Sequence, residues 1–72
     1  MRVITLEEVE KYWDAFSKYK ETAEQHEFAE LLFWDFKLVP LYNDLKKNWD
    51  EKHADVFLTT LDVVFDHFGI TI

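Results

Sequence analysis

One glycine and one proline in 72 residues leave this chain few ways to turn. Gly69 stands near the end and Pro40 just past the middle, and neither residue type occurs between Thr5 and Val39. Glycine-rich phosphate loops, collagen-like repeats and turn-rich β-sandwiches all need far more of both. What remains is helix, and the apolar residues recur at helical spacing.

Thr5 precedes Leu6-Glu7-Glu8, so its hydroxyl can cap a helix while Glu8 reaches back to its amide, and Ile4 and Val9 are placed to staple that first turn. Leu6, Val9, Trp13 and Phe16 then share one face, which predicts a first helix over 6–20. A straight continuation would carry that stripe through Lys20, Glu24 and Glu27, none of them core residues. A single helix over 6–38 would also run to roughly 50 Å, against a radius of gyration near 11 Å for a compact chain of this length. A break near 20–22 follows, with Thr22 and Gln25 as a second capping box.

A second helix over 23–38 is predicted to turn Phe28, Leu31, Leu32, Phe36 and Val39 inward. Val39 stands before Pro40, which disfavours α conformation at 39 and suits the first turn of a third helix over 40–49. Asp50 can cap a fourth helix, whose stripe is Ala54, Phe57, Leu58, Leu61, Val64, Phe65 and Phe68, with Gly69 as a left-handed stop and Ile70 packing back. Leu41, Leu45 and Trp49 are also in phase with Val56, Thr60 and Val63, so 40–68 could instead be one long helix with two apolar faces. Arg2-Val3-Ile4-Thr5 and Ile70-Thr71-Ile72 are β-prone and could pair as a minimal ribbon. The expectation is one all-α domain over 1–72, a compact three- or four-helix bundle with at most a minimal strand at either terminus.

Composition narrows function. Apolar residues make up 49%, too many for a disordered chain. The net charge is −7 and the only arginine is Arg2, which argues against direct binding of nucleic acid. There is no cysteine, hence no disulfide, no zinc finger and no thiol nucleophile. No apolar run approaches a membrane span and no leader pattern opens the chain, so a soluble, cytoplasmic protein is expected.

No catalytic constellation emerges. Ser17 is the only serine, no nucleophile elbow is present, and no Glu-x-x-His motif occurs, so neither an enzyme nor a metal or cofactor site is expected. His26 with Glu30, Asp50 with His53, and His67 beside Asp66 read as solvated surface groups. The candidates that remain concern binding. Glu51, Asp55, Asp62 and Asp66 fall on one side of the fourth helix, away from its core stripe. Trp34 and Tyr42 lie off the stripes and could anchor a partner. Asp35 sits inside the expected apolar face of the second helix, where it pairs with a lysine, meets the free amides after Pro40, or awaits a basic partner.

These features suggest a small acidic protein-binding module, a stoichiometric inhibitor of a basic or nucleic-acid-handling partner. Phage anti-defence proteins, immunity proteins and antitoxins share this size and charge. The alternative is a homo-oligomeric assembly component whose seam is the Val56 and Val63 face.

Overall fold

The capping signals at the start of the chain act as the sequence implies. In the computed structural model, which describes residues 3–71, the Glu8 amide donates to the Thr5 hydroxyl at 3.2 Å. Ile4 and Val9 are both buried, closing the staple. The helix they open, α1 (Leu6–Thr22), runs two residues beyond its expected end. The Thr22 hydroxyl donates to the carbonyls of Lys18 and Tyr19 at 3.4 and 3.2 Å. It therefore finishes α1, and the expected box with Gln25 does not form. Ala23 and Glu24, both extended, make the connection to α2 (Gln25–Lys47), whose N-cap Glu24 offers only its backbone carbonyl.

The main correction concerns Pro40. The helix expected to stop before it continues for more than two further turns, so residues 40–47 belong to α2. Pro40 has no N–H to give to the Phe36 carbonyl, a loss that disfavours a helix interior. It lies on the solvent side, however, where a helix curving around a core is stretched and a missing bond is least costly. The inner seam holds α2 together across that point: Leu31, Leu38 and Leu45, seven residues apart, are all buried.

Asn48, Trp49 and Asp50 connect α2 to α3 (Glu51–Phe68), so neither the single long helix over 40–68 nor a separate helix over 40–49 is present. The Asp50 carboxylate accepts from the amides of Lys52 at 2.9 Å and His53 at 3.3 Å. These bonds, the His53 amide foremost, hold its pKa below the ordinary value. Gly69 takes a left-handed conformation (φ 70°), and the Ile70 amide donates back to the Phe65 carbonyl at 2.8 Å, which closes α3 as expected.

The result is an all-α, compact three-helix bundle. No strand occurs among the described residues; the expected terminal ribbon is irregular at 3–5 and 70–71, and Arg2 and Ile72 lie outside the described range. Half of the core comes from α3, through Ala54, Phe57, Leu58, Leu61, Val64 and Phe65, and the rest from Ile4, from Val9 and Phe16 of α1 and from the three α2 leucines. A ring layer joins all three helices: Trp13 stacks on Tyr42 at 5.1 Å and meets Phe57 at 5.8 Å, while Tyr42 stacks on Phe57 at 5.9 Å. Such pairs add about 0.5–1.5 kcal/mol each beyond the area they bury. Among the described residues no polar side chain is buried, and no helix is long and apolar enough to cross a membrane.

Candidate protein-docking surface

α2 carries apolar residues on two sides, and the fold uses the narrower one. The inner seam consists of Leu31, Leu38 and Leu45. Phe28, Leu32 and Phe36, expected in the core, are exposed, and Val39 is half-buried. At 100° per residue these four lie 80–160° around the helix from Leu38, and Ala29, Phe33 and Pro40 continue the surface beyond them. Phe28, Phe33 and Phe36 are 39, 53 and 83% exposed. With about 200 Å² for a whole phenylalanine, they alone leave about 350 Å² of ring and methylene in water. An exposed apolar area of that size is within the range of the largest patches on monomeric proteins, which are often functional. Sequence reasoning placed Phe28 and Phe36 inside because the outer side carries more apolar bulk than the seam does.

The surface continues toward α3. Phe33 meets Trp34 edge-on at 5.4 Å, and the Lys37 ammonium lies 4.9 Å from the Phe33 ring centre. Trp34, half-buried, lines an open groove with Glu30, Val63, Val64 and His67. Val63 is 60% exposed and Val56 is exposed one turn pair away, so the second face of α3 noted from the sequence also meets solvent. His67 Nε2 lies 3.4 Å from Glu30 Oε1 across this groove.

The acidic file lies on the other flank of α3. Asp62 and Asp66 border a shallow cleft with Tyr12 and Phe65, next to α1. Glu51, Asp55, Asp62 and Asp66 are all exposed, and no described lysine or histidine pairs with any of them. The bundle thus separates the expected residues. The four carboxylates share one flank of α3, while Trp34 is on the opposite flank.

Tyr42 belongs to neither flank. It packs between Trp13 and Phe57, and Lys46 lies 5.4 Å from its ring centre. Burial, followed by the charges of Glu10 and Asp14, raises its hydroxyl pKa. Asp35 accepts a hydrogen bond from Lys20 Nζ at 2.9 Å, with both side chains 23% exposed. It pairs with a lysine, one of the outcomes open from sequence, and ties the end of α1 to α2.

One grouping had no sequence signal. Glu24, His26 and Glu27 cluster at the start of α2, with His26 Nδ1 3.6 Å from Glu24 and Nε2 3.9 Å from Glu27. Glu27 is already engaged, because its Oε2 accepts from the Tyr19 hydroxyl at 2.7 Å. That bond is the main cause of the raised Tyr19 pKa. His53 lies 3.7 Å from Asp50, the cap residue. No protein-family model, no curated protein and no solved structure matches this chain, so its functional reading rests on its own surface.

Proposed function

We propose that this protein binds other proteins rather than catalysing a reaction. The observation that carries the reading is the outer face of α2, where three phenylalanines, Leu32 and Pro40 stand in solvent on a helix whose opposite side already supplies the core. Exposing such rings serves no purpose in folding, and aromatic side chains are favoured anchors at interfaces.

The finer reading is a stoichiometric inhibitor, acting in the cytoplasm on a partner with a basic surface. Its support is the net charge of −7 and the file Glu51, Asp55, Asp62 and Asp66, which no described lysine or histidine pairs with. Such a file steers encounter with a positively charged protein and fixes register, while apolar anchors hold the complex.

Capture from the native host's lysate tests both levels. Wild type, Phe36→Asp, and the triple variant Asp55→Asn, Asp62→Asn, Asp66→Asn are compared at low and high salt. Loss of captured protein with Phe36→Asp is expected, together with slower association of the triple variant at low salt. Capture unaltered by Phe36→Asp refutes docking of another protein on α2. Association by the triple variant as fast as wild type at low salt reduces the acidic file to a solvated face.

A further inference from the structure

We infer that the occupant of the outer α2 face is a second copy of this chain, its α2 running antiparallel to the first. This rests on the reading of that face as a docking surface and names what covers it. The most exposed large apolar residue, Phe36, is also the midpoint of α2. Outward-facing residues recur on either side of it at three- and four-residue steps: Gln25, Ala29 and Leu32 before it, Pro40, Asn43 and Lys47 after it. That is the spacing of a helix-pairing seam. A two-fold axis through Phe36 sets Leu32 against Pro40 and Ala29 against Asn43, a self-complementary arrangement of small and large side chains.

Charge supports the antiparallel sense. The beginning of α2 with its N-cap carries Glu24, Glu27 and Glu30 and no lysine, whereas the stretch after Phe36 carries Lys37, Lys46 and Lys47 against Asp44 alone. Antiparallel pairing brings Glu24 of each copy within a turn of Lys46 and Lys47 of the other, and His26 near Asp44. The helix dipoles also oppose favourably. A parallel pair would set like charges side by side. The helix is long enough for this: 23 residues span about 34 Å, matching the molecule's longest extent of 35 Å. The three phenylalanines provide about 350 Å² of the roughly 800 Å² a side buried in a standard interface, and Leu32, Pro40, Lys46 and Lys47 extend it. The acidic flank of α3 is left outside the seam.

Sedimentation equilibrium of the full chain gives the first test. The mass is expected to rise from 8.8 kDa toward twice that with concentration, and to do so at high salt as well. Phe36→Asp is expected to stay monomeric with an unchanged helical circular dichroism spectrum. A monomer at every concentration overturns self-pairing; if Phe36→Asp then still abolishes capture of another protein, the docking face stands and only its occupant is wrong. A dimer that survives Phe36→Asp but dissociates with Val63→Asp moves the seam to α3 and overturns the inference.

Orientation is tested separately. The chain has no cysteine of its own, so introduced thiols report cleanly. Ala29→Cys mixed with Asn43→Cys is expected to form a disulfide-linked pair, while neither variant links to itself. In the antiparallel pair each position lies about 21 Å along the axis from its own copy. Self-linking at both positions without the mixed product overturns the antiparallel arrangement.

Discussion

Leu38→Ala and Phe36→Ala, two residues apart on α2, are expected to have opposite outcomes. Leu38 is 4% exposed and sits in the leucine seam between the other two helices. Its truncation removes buried methyl groups and leaves a cavity, costing about 2–5 kcal/mol. The total stability of a chain this size is about 4–11 kcal/mol, so the midpoint of thermal unfolding falls by at least about 8 °C. Phe36 is 83% exposed, and folding removes only about 35 Å² of it from water. That area is worth less than about 1 kcal/mol, and alanine returns about half of it through higher helix propensity. Phe36→Ala should therefore lie within about 0.5 kcal/mol of wild type. The assay is urea unfolding followed by circular dichroism, at the lowest concentration the signal allows, so that self-pairing adds nothing. If Phe36→Ala proves the costlier variant, the faces of α2 are assigned the wrong way round.

Two further outcomes follow from the caps and ion pairs. Amides of His53 and Lys52 hold the Asp50 carboxyl low in the folded chain, so the unfolded chain takes up this proton at higher pH. The stability it contributes is present above the ordinary aspartate value, about pH 4, and is lost as pH falls through the lower folded value. Asp50→Asn should flatten that part of the acid limb relative to wild type, and an identical limb refutes the cap's role. For Lys20 and Asp35, a double-mutant cycle with Lys20→Met and Asp35→Asn is expected to give a coupling of about 1 kcal/mol; zero coupling would show that the 2.9 Å contact contributes nothing.

Where local chemistry and burial agree, the sequence was legible. α1 and α3 each have a side-chain cap and one dominant apolar stripe, and Val9 and Phe16 with Ala54 through Phe65 lie buried where periodicity put them, although Leu6 at the start of the α1 stripe is exposed. α2 has no side-chain cap and two apolar sides, so the larger one, with Phe28, Leu32 and Phe36, masked the three-leucine seam. Pro40 deepened the error, because the local preference against helix at Val39 is weaker than the packing that continues through Leu38, Tyr42 and Leu45. The acidic file on α3 was legible as a file because it needs only helical geometry. Its separation from Trp34 was not, since that depends on which neighbour each flank of α3 meets.

The short connections have a kinetic consequence. Two residues join α1 to α2 and three join α2 to α3, so closing the chain costs little conformational entropy. Helical proteins dominated by such local contacts fold in microseconds to milliseconds. The outer α2 face is then displayed on a finished bundle before diffusion delivers anything to it. On the proposed docking reading, association at this face is a collision with a preformed surface, at a rate governed by orientation and charge rather than by a folding step.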